Sequence, residues 1–211
     1  MNNRLIAVIG GAGKSGQYLV QELLRQGYPL RLLHRHPGNL PPFPASIQVL
    51  KGDARNAADI ARLLEGCSAV ISTLGQPANE PPIFSTATHH VLETMAQHSI
   101  GRYIVTTGLS VDTPQDRKSP WVQEAGAWMH AHYAATTTDK QAEYTMLQAS
   151  VLNWTLVRLP RIILTHEAKE IQVSTIDCPG QQVHACDLAN FLASQLLQAQ
   201  YHRAAPFIAS L

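Results

Sequence analysis

The chain has 211 residues, with 16 lysines and arginines against 15 aspartates and glutamates and a formal net charge of +1. That length suits one sizeable core, and no Pro/Gly/Ser-rich linker or charge block divides it, so a single domain over residues 1–211 is expected. A near-neutral charge balance argues against nucleic acid and anionic membranes as partners, no stretch reaches the roughly 20 apolar residues of a membrane span, and small molecules or other proteins remain.

In chain order, Arg4 to Ile9 is an apolar run that reads as a strand. It leads straight into Gly10-Gly11-Ala12-Gly13-Lys14-Ser15-Gly16, and then into Gln17 to Gln26, where Leu19, Val20, Leu23 and Leu24 recur at helical spacing. Two nucleotide sites compete for this stretch. Gly13-Lys14-Ser15 looks like the end of a phosphate-cradling P-loop, but the glycine required five positions earlier is Val8, inside the strand. Gly11, Gly13 and Gly16 instead spell G-x-G-x-x-G, and Gly10, Gly13 and Gly16 follow the strand directly. Strand, glycine turn and helix are the context of a dinucleotide-binding fingerprint. The turn from Gly10 through Lys14, Ser15 and Gly16 is the expected pyrophosphate cradle, helped by the N–H groups and positive end of the helix.

The second strand, Pro29 to His34, tests which dinucleotide is held. NAD sites commonly carry an acid at this strand's end for the ribose 2'-hydroxyl, whereas an arginine there accommodates a 2'-phosphate. The sequence reads Leu32-Leu33-His34-Arg35-His36. Arg35 therefore argues for NADP(H) over NAD(H), with Lys14 as a second cation, against the plainer reading of a solvated loop arginine.

A proline-rich turn from Pro37 to Pro44 precedes a third strand, Ile47 to Leu50, which ends in Gly52-Asp53-Ala54-Arg55. Asp53 and Ala54 fall where a strand end meets the ligand crevice, and two roles for Asp53 stay open: contact with the adenine, or capping of a helix from Ala57 to Leu64. A fourth strand, Ala69 to Thr73, runs into Leu74-Gly75-Gln76-Pro77, a turn without bulky side chains near the expected dinucleotide. Thr86 to His98 reads as a helix, and a fifth strand, Tyr103 to Thr107, is followed by Gly108-Leu109-Ser110. A helix from Asp139 to Gln148 precedes a sixth strand, Trp154 to Arg158. Alternating strands and helices imply an α/β fold with a Rossmann-like, doubly wound and mostly parallel sheet.

Asp112 to Tyr133 breaks the rhythm with prolines, charges and two tryptophans, so a small substrate-side region is expected over about 112–138 and 160–185. Within it, His130 and His132 with Trp121 and Trp128 are candidates to line a pocket for a ring ligand, or else simply pack a loop on the body. In the tail, Ile171 to Ile176 reads as a short strand, Asp187 as the cap of a helix from Leu188 to Leu197, and Pro206 to Ala209 as a last extended piece. Cys67, Cys178 and Cys186 are odd in number, widely spaced and outside any C-x-x-C pair, so inert thiols are expected. The H-x-H pairs His34/His36 and His130/His132 lack a third ligand, and no metal site is expected. The apolar run near the N-terminus is too short for a signal sequence, which makes a cytoplasmic setting the expectation.

The glycine turn, Arg35, Gly52-Asp53, the strand end Thr106-Thr107-Gly108 and the run Asp139-Lys140-Gln141-Ala142-Glu143 ahead of Asn153-Trp154-Thr155-Leu156-Val157-Arg158 give nearly the whole chain a resemblance to atypical short-chain dehydrogenases/reductases. It is most similar to the compact NAD(P)H-binding group of NmrA-like sensors, flavin reductases and biliverdin reductase B. The resemblance implies a Tyr-x-x-x-Lys pair working with an upstream Ser or Thr, the Tyr handling the proton and the Lys holding the nicotinamide ribose. Lys140 matches the lysine, Thr107 and Ser110 match the hydroxyl, and Thr73, Leu74, Gly75 and Thr106 fall near the cofactor. Four residues before Lys140, however, stands Thr136. Tyr133 is a poor substitute, because Thr138 and Gln141 fit a capping box that starts the helix after it.

A hydroxyl without the tyrosine's acidity does not donate a proton near neutral pH, whereas hydride transfer to a flavin needs chiefly stacking and alignment. The expectation is an NADPH-dependent oxidoreductase acting on a flavin, quinone or similar planar acceptor, with FMN or FAD as candidate substrates. The alternative is a non-catalytic NADP(H)-binding redox sensor of the NmrA type, working through a protein partner. An epimerase or dehydratase of a nucleotide sugar is the weakest reading, since little chain remains for a substrate domain.

Overall fold

A computed structural model describes residues 4–39, 43–198 and 200–211. Strands Ile6–Ile9 (β1), Leu30–His34 (β2), Ile47–Lys51 (β3), Ala69–Ser72 (β4), Arg102–Gly108 (β5) and Asn153–Leu159 (β6) lie parallel in the order β3-β2-β1-β4-β5-β6. Arg161–Ile163 (β7) and Gln182–His184 (β9) form a separate parallel pair. Ile171–Ser174 (β8) closes the large sheet as its antiparallel edge, next to Phe207–Ser210 (β10), which pairs with β6. The doubly wound, mostly parallel sheet read from the sequence is the one observed.

Helices cover both faces: Gly16–Arg25 (α1), Ala57–Leu64 (α2), Phe84–Gln97 (α3), Pro120–His132 (α4), Ala134–Ala149 (α5) and Ala185–Ser194 (α6). Side chains of a strand alternate between faces, so Ala7 and Ile9 pack with Ile60, Val91 and Leu147 of α2, α3 and α5, while Ile6 and Val8 pack with Leu19, Leu23 and Leu192 of α1 and α6. Burial on both sides is why β1 reads as an unbroken apolar run. Ile9 pairs with Leu33 of β2 and Ser72 of β4, so these three strands end level, and the order reverses between β1 and β4. A ligand crevice forms outside the carboxyl ends of strands at such a switch point.

Several local expectations are corrected. The segment Asp112 to Tyr133 contains a 13-residue helix, α4, announced by Ser119-Pro120 but buried only at Val122 and Gly126, too thin a stripe to register as helical periodicity. Helix α5 begins at Ala134 rather than Asp139, and Thr138 lies inside it instead of capping it. Asp139 serves a neighbour: its Oδ2 accepts from the main-chain N of Phe84 (2.8 Å) and Ser85 (3.2 Å), capping α3, whose own Ile83 has no side chain to do so. Asp187 does not cap α6, which starts at Ala185 after His184; its carboxylate accepts from Ser210 Oγ (2.6 Å) and ties β10 to the first turn of α6.

The turn expected over Pro37 to Pro44 begins as a short 3-10 helix, Pro37–Asn39, and residues 40–42 of it lie outside the described residues. The two halves of the expected substrate-side region meet: Ser119 N donates to Asp177 Oδ1 (3.1 Å) and Arg117 N to Ile176 O (2.8 Å). Among the described residues no helix is long and apolar enough to cross a membrane.

Candidate dinucleotide cleft and neighbouring cavities

The chain leaves β1 through Gly10 at φ +78°, where a Cβ would lie 2.6 Å from the carbonyl oxygen of Thr73 at the end of β4. Backbone conformation and close approach each demand glycine here. Gly13 N donates back to Gly10 O (2.9 Å), and a Cβ on Gly16 would run into that same carbonyl and, at 2.9 Å, into Thr73 Oγ1. The turn therefore brings α1 hard against the strand ends. Ser15, at the N-cap of α1, makes no side-chain cap hydrogen bond and the first turn holds no acid, so its N–H groups and positive dipole end suit an incoming anion. A cradle closed to side chains, facing an uncapped helix, fits a pyrophosphate.

A cleft of about 340 Å³ opens over this turn. Of the residues expected at the cofactor, Gly10, Gly13, Arg35, Asp53, Ala54, Leu74 and Gly75 line it. Lys14 is exposed on the turn, and Ser15, Gly16 and Thr73 stand behind the lining. Asp53 accepts from Arg55 N (2.9 Å), while Asn56 caps α2 by accepting from Asp59 N (3.1 Å), so the capping role weighed for Asp53 is overturned.

Arg35 does not stand alone. Its Nη1 donates to Glu80 Oε1 (2.6 Å), and Arg55 Nη1 donates to the other oxygen, Oε2 (2.8 Å). The hydrogen bond from Arg35 holds the Glu80 carboxyl below its ordinary range, with Arg55 adding to the effect. Neither Arg55 nor Glu80 stood out in the sequence, because a contact across 45 residues leaves no local pattern.

A second cavity, about 470 Å³, shares Gln76 and Pro77 with the cleft and is walled by Met129 and Tyr133 at the α4–α5 junction and by Thr136 of α5. Thr136, which occupies the position of the resemblance's tyrosine, thus faces a cavity beside the cleft. Ser110 lines a third cavity of about 280 Å³ together with Lys118 and His130. His132 instead stacks on the exposed Trp128 (ring centroids 4.3 Å apart), and Trp121 packs with Leu109, Val122 and Phe207.

Lys140 is buried away from the cleft wall. Its Nζ donates to Thr106 O (2.9 Å) and Glu143 Oε2 (3.1 Å) and lies 3.6 Å from the centroid of the Phe84 ring. Two of the three ammonium donors are thus paired within the protein, and the charge also rests against the Phe84 ring. Burial lowers the Lys140 pKa, opposed by the Glu143 charge. Glu143 Oε1 accepts from Thr88 Oγ1 (2.8 Å), which also meets Tyr103 OH (3.0 Å), extending a buried chain under β5. Thr106 Oγ1 donates to Ser72 O (3.4 Å), while Thr107 Oγ1 is buried with no hydrogen-bond partner among the described residues. Among the described residues the grouping with metal-ligand spacing is His89, His90 and Glu93 on α3, not either H-x-H pair.

A family model described as NAD(P)H-binding matches residues 10–199. The mouse sterol-4-alpha-carboxylate 3-dehydrogenase, decarboxylating, is 32% identical over 110 residues, covering 49% of this chain and 30% of that protein. Rice (Oryza sativa subsp. japonica) cinnamoyl-CoA reductase 1 is 24% identical over 128 residues, covering 56% of this chain and 38% of its own. The chain thus spans about a third of the length of these curated relatives. A short-chain dehydrogenase/reductase from Veillonella parvula, solved in complex with NADP, superposes with a TM-score of 0.79 at 18% identity, over 98% of this chain and 94% of that one. With a glycine cradle at the switch point of a Rossmann sheet and a family match along most of its length, the chain belongs to the NAD(P)H-binding family, with the architecture of the short-chain dehydrogenases/reductases.

Proposed function

We propose that the protein is an NADP(H)-dependent oxidoreductase whose acceptor is a planar ring system such as a flavin or quinone. The observation that carries this reading is the pairing of two cavities across one loop. The dinucleotide cleft and the cavity walled by Met129, Tyr133 and Thr136 share Gln76 and Pro77. The first turn of α1 and the main chain at Gly10 and Gly13 would hold the pyrophosphate, Asp53 and Ala54 would flank the adenosine, and Arg35 would meet the 2'-phosphate. NADPH, when bound, supplies a hydride.

What the chain adds is alignment. Pro77, Met129 and Tyr133 offer flat or pliable apolar surface against which a ring can lie. Acid catalysis has little support: Thr136 has the wrong acidity, and Lys140 is buried with donors committed to Thr106 and Glu143 and its charge against Phe84. Transfer between stacked rings needs no protein acid, because water can protonate the product.

The same commitment of Lys140 favours a second reading, a non-catalytic NADP(H) sensor. In it the exposed Trp128–His132–Tyr133 group beside the cavity would face a protein partner. Steady-state NADPH oxidation by the purified protein against FMN, FAD, riboflavin and small quinones separates the two. The oxidoreductase reading expects turnover with at least one acceptor, and a raised acceptor KM without loss of NADPH affinity on Tyr133→Ala. NADPH binding without consumption across the panel would reject it in favour of the sensor.

A further inference from the structure

The contact among Arg35, Glu80 and Arg55 has a consequence for which dinucleotide enters, and it rests on the reading of the cleft as an NADP(H) site. We propose that Glu80 is a specificity-determining residue: its carboxylate occupies the place between Arg35 and Arg55 that the 2'-phosphate takes, and the phosphate must displace it to bind.

The geometry is that of an anion clamp already filled. Each carboxylate oxygen of Glu80 has its own guanidinium, Oε1 with Arg35 Nη1 at 2.6 Å and Oε2 with Arg55 Nη1 at 2.8 Å. Guanidinium forks bind carboxylates and phosphates by the same parallel donors, so a group that satisfies them in one form is a mimic of the other. Arg35 and Arg55 are balanced by Glu80 and Asp53 as they stand, so a group that displaces Glu80 meets a net positive charge, to which a phosphate dianion is a good complement. Asp53, the other acid nearby, is 3.7 Å from Arg55 and pairs with it less closely.

The carboxylate is held there by its loop rather than by chance. Gln76 Nε2 donates to the carbonyls of Glu80 (2.8 Å), Pro77 (3.1 Å) and Pro81 (3.2 Å), and Arg55 Nη2 donates to Pro81 O (2.8 Å). Asn79, at φ +58°, makes the left-handed bend that turns Glu80 back towards β2. Displacement is nonetheless open to an incoming anion, since the Arg35 and Glu80 side chains are 43% and 34% exposed and no core packing has to part. Glu80 thus acts as a tethered competitor: it weakens binding of a 2'-phosphate by occupancy and by like-charge repulsion, and leaves a dinucleotide without that phosphate nearly unaffected.

Equilibrium binding of NADPH, NADH and 2',5'-ADP to the wild type, Glu80→Gln and Arg35→Ala tests this. Gln keeps the side-chain length and a hydrogen-bond acceptor but removes the charge. The expected result is roughly tenfold tighter binding of NADPH and 2',5'-ADP in Glu80→Gln at low salt, shrinking as salt is added, with NADH changed by less than about twofold. Unchanged or weaker NADPH binding in Glu80→Gln would overturn the proposal. So would weaker NADH binding, which would make Glu80 the acid that accepts the ribose 2'-hydroxyl. If the wild type prefers NADPH and loses that preference in Arg35→Ala while Glu80→Gln changes nothing, Glu80 is excluded and the NADP(H) site stands. If the wild type binds NADH more tightly and Arg35→Ala is silent, the NADP(H) reading itself fails.

Discussion

The two sides of the switch point are built from different materials. On the side of β1, β2 and β3, the cleft combines the glycine turn with apolar strand-end residues such as Ile9 and Leu33, and Arg35, Asp53 and their partners Arg55 and Glu80 stand at the solvent boundary. On the side of β5 and α5, the polar groups are buried and spent on one another: Lys140 on Glu143 and Thr106 O, Glu143 on Thr88, Thr88 on Tyr103. The first arrangement keeps main-chain N–H groups at the start of α1 open and its ion pairs within reach of solvent, and the second leaves few donors. The residue to which the resemblance gives the ribose-holding role thus turns its ammonium to the protein's own groups.

The largest expected effect falls on the buried side. Lys140→Met would strand the Glu143 carboxylate in a site it shares with Thr88, costing about 3–5 kcal/mol in denaturant unfolding. Adding Glu143→Gln should restore a good part of that, because a buried ion pair replaced as a unit costs little. A lone Lys140 variant that unfolds as the wild type does, yet loses NADPH affinity, would reverse the comparison and return Lys140 to the cofactor.

Next is the cleft. Gly10→Ala puts a Cβ 2.6 Å from Thr73 O on a backbone at φ +78°, so saturable NADPH binding should vanish and stability fall by about 1–3 kcal/mol. Smaller still, Arg35→Ala should weaken NADPH roughly tenfold while sparing NADH, read by titration. Equal losses for both cofactors would mean that Arg35 shapes the cleft rather than reading the phosphate.

An effect that is absent near neutral pH and emerges only in alkali concerns groups that belong to neither side. Burial pushes the Cys67 and Cys178 thiols up from 9.0 to about 11. Between those values the unfolded chain gives up these protons while the folded chain keeps them. Stability is therefore undiminished by these thiols below about pH 9 and falls as pH rises from about 9 to 11. Thermal unfolding across that range should show a shallower decline in Cys67→Ala or Cys178→Ala than in the wild type.

The fold and the glycine turn are legible in the sequence because both are local. β1 is an apolar run between turn signals, and Gly10, Gly13 and Gly16 stand at fixed offsets from it. What was not legible depends on distant partners. Asp139 looks like the start of its own helix until α3 is seen to need a cap, and Glu80 looks like a solvated loop acid until Arg35 and Arg55 are brought around it. Helix α4 was hidden for another reason: a helix that buries only Val122 and Gly126 has almost no apolar stripe to read. Lys140 stands out by its spacing ahead of β6, but its pairing with Glu143 follows from burial, which spacing alone does not reveal.

The proposed reading places a phosphorylated nicotinamide dinucleotide, and not a nucleoside triphosphate, on the glycine turn. Its most direct test is a competition titration of the wild type and Gly10→Ala with NADPH and ATP in the same buffer. Saturable NADPH binding that ATP fails to displace at equal concentration, and that Gly10→Ala abolishes, is the predicted result. ATP binding more tightly than NADPH, or NADPH binding that survives a side chain at Gly10, would contradict the account.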